Sequence, residues 1–241
     1  MSDILIEPSS ATIPLATRSL PVLEISLGGS PDGLAILVGE PGLLQDHGIE
    51  IMNRLAEHGY ESLAADIAPE FARGAVYGLL DRAAERGWSA EQIGMIGFGL
   101  GGQAVLEAAT RSDFGAAVSM SPTSPDAAPG EEIVDVLAGP LATPWLGLFG
   151  DEDPGAAAES VGRLGAALDS SSAVHYEIVR YPGVSREFYG HANHDGQSYG
   201  AWYDSWQRTI EWLGARVAPR LTPLAVAWKD RLIDNPAPVS S

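Results

Sequence analysis

The chain has 241 residues, enough for one substantial core, and α/β domains of this length are commonly single. Fourteen basic against thirty-two acidic side chains give a formal net charge of −18, which repels phosphate backbones and anionic lipid, so no nucleic-acid or membrane partner is expected. The absence of cysteine excludes disulfides, thiolate metal sites and a cysteine nucleophile together. The first residues, MSDILIEPSSATIPLATRS, carry an early acid and no basic-then-apolar run, and no apolar stretch is long enough to span a bilayer; a cytoplasmic protein is expected.

In chain order, short apolar runs rich in β-branched residues predict strands near Val22–Leu27, Leu34–Gly39, Ser62–Ile67, Ile93–Phe98, Ala116–Met120, Trp145–Phe149 and Tyr176–Tyr181. Segments at helical period lie between and after them, near His47–His58, Ala75–Arg86, Gln103–Thr110, Ala156–Leu168 and Ala201–Val217. Ser89-Ala90-Glu91 reads as a turn into a strand. This alternation predicts an α/β fold: a mostly parallel sheet with helices on both faces. Val22–Leu27, the turn GGSPDG and Leu34–Gly39 are expected to form an antiparallel hairpin at its N-terminal side. Residues 1–20 are expected to form an arm, 21–218 the domain and 219–241 a C-terminal extension, with a short helix near Pro223–Leu232.

The most informative segment is IGMIGFGLGGQAVLEAA, Ile93 to Ala109. An apolar strand runs into Gly97-Phe98-Gly99-Leu100-Gly101-Gly102 and on into a helix, and so sharp a turn needs small residues because the two backbones approach closely. Gly97-x-Gly99-x-x-Gly102 also fits a dinucleotide-binding loop. That loop normally follows the first strand, with an acid about twenty residues on. Here it follows a central strand, and Asp113 comes too early.

From about Val22 to Val217 the chain resembles the dienelactone hydrolase family of the α/β-hydrolase superfamily. The stations run in order: Leu37–Gly42 with Glu40, Ser62–Ile67, GFGLGG, AAVSMSP, GDEDP at Gly150–Pro154, YPGVSREF at Tyr181–Phe188, and a Trp-containing final helix. The resemblance implies an α/β-hydrolase fold and a nucleophile–base–acid triad, and it places the nucleophile on Gly99, where the family has Cys or Ser. It puts the acid on Asp153, with Asp151 and Glu152 close neighbours; a plain cap on the turn at Pro154 is the competing role. The base falls on Arg186, whose guanidinium stays protonated. A shifted alignment offers His191 or His194 on the following loop, where an exposed polar histidine is the alternative. Of two oxyanion donors, the N–H of Leu100 is retained and the other falls on Pro41, which has none. Losing one such donor costs about a hundredfold in rate.

By position, then, nucleophile, base and one oxyanion donor are absent, and the triad reads as degenerate. Three functions are open. In the first, an enzyme uses Glu40, Asp153 and His191 or His194 for acid–base work on a small carbonyl or lactone-like compound (isomerisation, elimination or cyclisation), with Arg186 holding an anionic oxygen. In the second, activated water hydrolyses a lactone or ester directly. In the third, a non-catalytic scaffold binds a ligand or partner. His191-x-x-His194-Asp195 has ligand-like spacing, but Gly190, Asn193 and Gly196 work against a regular helix, so no metal or cofactor is expected. Tyr199, Trp202, Tyr203, Trp206 and Trp212 fit one core-facing helical stripe, while Phe188 and Tyr189 stand beside the mouth and are expected to line it. The short Asp66–Ala75 link leaves little lid; the C-terminal extension is left either to cover the pocket or to form a homodimer contact.

Overall fold

A computed structural model describes residues 6–16, 18–123, 133–189, 196–221 and 223–234. Eight strands form one sheet: β1 (Ser9–Pro14), β2 (Ser19–Ile25), β3 (Gly33–Gly39), β4 (Tyr60–Asp66), β5 (Ile93–Phe98), β6 (Ala116–Met120), β7 (Trp145–Gly150) and β8 (Tyr176–Tyr181). Their spatial order is β1-β2-β4-β3-β5-β6-β7-β8. The pairs β1–β2 and β2–β4 are antiparallel, and every later pair is parallel.

The expected antiparallel N-terminal hairpin is present, but β1 and β2 form it. The pairing of β2 with β3 is corrected: β4 lies between them. Side-chain pattern explains the choice. Every residue of β3 is buried, as a strand covered on both faces requires, whereas β2 starts with exposed and buried residues alternating. A strand apolar on both faces belongs in the middle of a parallel sheet, not in a hairpin at its edge. Residues 9–14, within the expected arm, are the outermost strand of that sheet.

The helices are α1 (Leu43–Glu57), α2 (Ala72–Glu85), α3 (Leu100–Ala109), α4 (Ala158–Ser171), α5 (Gly196–Arg216) and α6 (Pro223–Asp234). One apolar cluster joins α2, α3 and α4 to one face of the sheet, and a second joins α1 and α5 to the other. Helix α1 starts four residues before the expected His47, because the Asp66 carboxylate accepts the N–H groups of Gly42 and Leu44, each at 3.0 Å. A cap supplied from the end of β4 leaves no local sign in the sequence of α1. Ser89 and Gln92 close a reciprocal capping box around a single 3₁₀ turn that leads into β5. The aromatic stripe of α5 divides: Trp206 and Trp212 are buried, but Tyr199 and Tyr203 are about half exposed, at 51% and 53%.

The chain leaves α5 at the amino end of β5, where the Ala218 N–H donates to Glu91 O and the Arg220 guanidinium lies 4.0 Å over Trp88. Helix α6 therefore starts at the end of the sheet away from Gly99, with Leu224 and Trp228 facing solvent. Among the described residues no helix is long and apolar enough to cross a membrane.

Candidate active site

The carboxyl ends of the parallel strands bring the candidate residues together. Glu40 follows β3, Gly99 follows β5, Thr123 lies just beyond β6, Asp153 just beyond β7, and Arg186 and Tyr189 beyond β8. Gly99 is the tip of the turn between β5 and α3, with φ 54° and ψ −119°, a conformation that strains any residue with a Cβ. Its N–H donates to Met120 O at 2.9 Å and its carbonyl accepts from the Gln103 N–H at 3.2 Å, so the turn is fixed from both sides. A Cβ on Gly97 would run into the backbone of Gly101, and one on Gly101 into Val38 O. Close strand–helix packing, as at a hydrolase elbow, accounts for these glycines without a bound dinucleotide.

Gly99 differs from its neighbours, because a Cβ there would meet side chains: Arg186 Nη2 and Glu40 Oε2. These two groups form an ion pair directly over the turn. Arg186 Nη2 donates to Glu40 Oε2, and Nη1 donates to Oε1 at 3.3 Å. The pair is forked, the geometry in which guanidinium and carboxylate bind best. Both side chains are largely covered, 13% exposed for Arg186 and 22% for Glu40. The Tyr189 hydroxyl donates to Glu40 Oε1 at 3.2 Å.

Arg186 is also held from behind. Its Nε donates to the Thr123 carbonyl at 3.3 Å and hydroxyl at 3.2 Å, and Nη2 reaches the same carbonyl at 3.1 Å. The Thr123 hydroxyl in turn donates to Asp153 Oδ2 at 2.7 Å. Asp153, 3% exposed, accepts the Gly155 N–H on its other oxygen at 2.9 Å. Asp153 therefore caps the turn at Pro154, and its other carboxylate oxygen ties it to Thr123. Burial disfavours the charge on Arg186, but the hydrogen bond it donates to Glu40, together with the charges of Tyr189, Glu40 and Asp153, outweighs burial and raises the pKa. Burial also raises the pKa of Tyr189, against the pull of Arg186 and with help from Glu40, so the phenol stays protonated well past its ordinary range.

Leu100 opens α3, so its N–H has no acceptor within the helix. Pro41 follows Glu40 with no N–H to offer, and the next two are engaged: Gly42 with Asp66, Leu43 with Glu40 O. Phe188 departs from its expected place. It is 2% exposed and packs between Tyr181 and Tyr189, with ring centres 5.3 and 5.9 Å away, because its position in the strand-following turn faces the α1–α5 core. Tyr189 is equally buried, but its hydroxyl reaches the site. His191, His194 and Asp195 lie outside the described residues. Among the described residues, no group of three His, Cys, Asp or Glu side chains is placed to hold a metal ion.

Two participants escaped the sequence reading. Thr123 links Arg186 to Asp153, and nothing about a threonine two residues after a strand-end serine signals that role. Its placement depends on Ser121, the only described non-glycine residue at positive φ (41°), which bends the chain so that Thr123 turns back onto the site. The Ser119 hydroxyl is consumed by the core, donating to Gly102 O and accepting from Trp145 Nε1. The Ser121 hydroxyl has no described partner. Next to the site, Ile51, Phe98, Met120, Tyr189, Trp202 and Trp206 enclose an apolar crevice of about 10 Å³, space for roughly one water.

The profile of the dienelactone hydrolase family matches residues 75–217, more than half of the chain. No curated protein matches the sequence. Solved structures share the fold. A protein of Klebsiella pneumoniae subsp. pneumoniae, provisionally described as a dienelactone hydrolase, is 24% identical with a TM-score of 0.68, over 87% of this chain and 98% of its own. A dienelactone hydrolase-like promiscuous phosphotriesterase from metagenomic libraries is 17% identical with a TM-score of 0.65, again over 87% and 98%. Est1E from Butyrivibrio proteoclasticus is 17% identical with a TM-score of 0.64, over 85% and 98%.

Proposed function

Because the chain belongs to the dienelactone hydrolase family, we propose that it keeps the family's cleft but not acyl-enzyme chemistry, and that it moves protons on a small carbonyl or lactone-like compound. The observation that carries this reading is the Glu40–Arg186 pair seated over Gly99. The volume that an attacking hydroxyl or thiol would need is filled by the Arg186 guanidinium and the Glu40 carboxylate. A permanently charged guanidinium at the base position has no lone pair with which to accept a proton.

What remains is a carboxylate and a phenol with their oxygens 3.2 Å apart at the mouth. Tyr189 stays protonated and can donate to a developing oxyanion, while Glu40 is the accessible carboxylate beside it. Arg186 fixes Glu40 in place and balances its charge, so in this reading it positions rather than binds substrate. Asp153 holds Thr123, and Thr123 holds Arg186. His191 and His194, which follow Tyr189 in the sequence, are further candidates for proton transfer.

Proton exchange in D2O tests this without a known substrate. NMR of a panel of small ketones and enol-lactones should show catalysed loss of α-proton signal with the native chain and loss of that catalysis in Glu40→Gln. A fluorophosphonate or activated-ester probe should leave no covalent mass on any cleft residue. An acyl or phosphonyl adduct within the cleft would refute the reading.

A second reading is binding without turnover, and one observation favours it: both oxygens of Asp153, both of Glu40 and all three nitrogens of Arg186 already have partners inside the protein. No exchange with any compound in the panel, together with saturable binding of one of them, would select it. Direct hydrolysis by activated water is distinguished by acid release from the lactones without any covalent adduct.

A further inference from the structure

The amino ends of β7 and β8 carry a second cavity, at the opposite end of the sheet from Gly99. Leu146 and Glu177, adjacent partners in the β7–β8 register, form its floor, and Arg208, Glu211, Trp212 and Arg216 of α5 form its wall. Its volume is about 190 Å³, enough for a compact molecule and below the usual range of drug-sized pockets.

The polar groups around it are unevenly used. Arg208 is spent: Nε binds Asp204 at 2.7 Å and Nη1 binds Glu177 at 3.1 Å. Arg216 is not. Its guanidinium lies over the Trp212 indole, 3.3 Å from the ring centre, and its one hydrogen bond among the described residues is a long 3.5 Å contact to Trp212 O. Among the described residues it forms no ion pair, although the chain is strongly acidic. Trp212 is 5% exposed, and its Nε1–H has no hydrogen-bond acceptor among the described residues. His175 stacks on the same indole at 5.4 Å. A buried donor without an acceptor is costly, and so is a partly buried cation that feels Glu177 only through space and makes no contact ion pair; the two side chains line one cavity.

We propose that this cavity is a binding site for a compact carboxylate, which Arg216 and the Trp212 indole N–H would bind as donors. The flat guanidinium suits a planar carboxylate taken through two parallel hydrogen bonds. Glu177 and Glu211 on the same walls disfavour a dianion such as phosphate. Two sources share this chemistry: a simple carboxylic acid, and an amino-acid-like zwitterion whose ammonium would face the exposed Glu211.

Indole 1H–15N resonances of the full chain read the site directly, with Trp212 assigned through bonds or by Trp212→Phe. Titration with acetate or with alanine should move the Trp212 N–H signal saturably. A response to both identifies a plain carboxylate site, and a response to alanine alone identifies the zwitterion; each supports the proposal. Arg216→Met, which keeps an apolar side chain over the indole, should weaken binding at least about tenfold, equivalent to 1.4 kcal/mol. The proposal is overturned if neither compound moves the signal, if only inorganic phosphate does, or if Arg216→Met binds as the native chain does.

Discussion

Two of the ion-pair centres that join distant parts of this chain do opposite things. At the sheet's antiparallel edge, Arg82 reaches Glu24 at 2.8 Å and Arg86 reaches Glu61 at 2.5 Å, tying β2 and β4 to α2. Arg86 also donates to Ser26 Oγ and Ile25 O. At the mouth, Arg186 and Glu40 are matched just as closely, but they stand where Gly99 lacks a side chain. The edge cluster ties α2 to a strand pair, β2–β4, that is itself hydrogen-bonded only over a short register. The mouth pair fills a hole in a turn whose backbone is already fixed. Identical chemistry ties elements together in one place and, in the other, occupies the space over Gly99 on which the proposed function rests.

The difference predicts unequal costs. Arg86→Met should be the most damaging single change. It leaves Glu61, 9% exposed, without its buried cation, while Glu24 keeps Arg82, and breaking such a buried pair costs about 3 to 5 kcal/mol. Urea unfolding measures it; a loss below that of the mouth variants would reverse the comparison. Gly99→Ser comes next, at about 2 to 4 kcal/mol, because the new Cβ adds backbone strain to a collision with Glu40 and Arg186. Combining Gly99→Ser with Arg186→Ala should recover about 1 to 2 kcal/mol of that loss, since the two sites touch. Strict additivity would mean that the guanidinium does not occupy the space above Gly99.

Much of the fold was legible because its central strands are apolar on both faces. β5, β6 and β8 were bounded correctly from the sequence, and the GFGLGG turn marked the elbow. β1 was missed: SSATIP is short, polar on one side and set at an edge, so it carries little periodic signal. The β2–β3 pairing failed because a six-residue turn looks like a hairpin loop whatever strand later inserts beside it. At the site, the family resemblance put Arg186 at the base position and Gly99 at the nucleophile position. It could not show that Glu40 turns to meet Arg186, or that Thr123 stands between Arg186 and Asp153. Those contacts span 146, 63 and 30 residues of chain, and no local pattern encodes them.

Arg186→Met tests the mouth pair more gently than Arg86→Met tests the edge. Glu40 is 22% exposed, so water can solvate the abandoned carboxylate, and the loss should be about 1 to 2 kcal/mol. The same variant frees the space above Gly99 and should make the cleft more accessible to a carbonyl ligand. A loss as large as that of Arg86→Met would place the pair among the structural braces instead.

Tyr189→Phe has the smallest expected effect and a distinctive pH dependence. Below the ordinary phenol pKa of about 10, Tyr189 is neutral folded or unfolded, and its hydrogen bond to Glu40 should stabilise the native chain by about 1 kcal/mol over the variant. Burial raises the folded-state pKa, so the unfolded chain ionises first as pH rises. The unfolded state then binds fewer protons, and the native chain's advantage is lost between about pH 10 and the raised folded value. Tyr60 and Tyr176, each pushed up to about 12, titrate alike in both proteins and cancel in the difference. The stability difference should therefore be flat to about pH 10 and shrink above it. If it stays constant through strongly alkaline solution, the phenol is not buried beside Glu40, and the proton donor assigned to the mouth is lost with it.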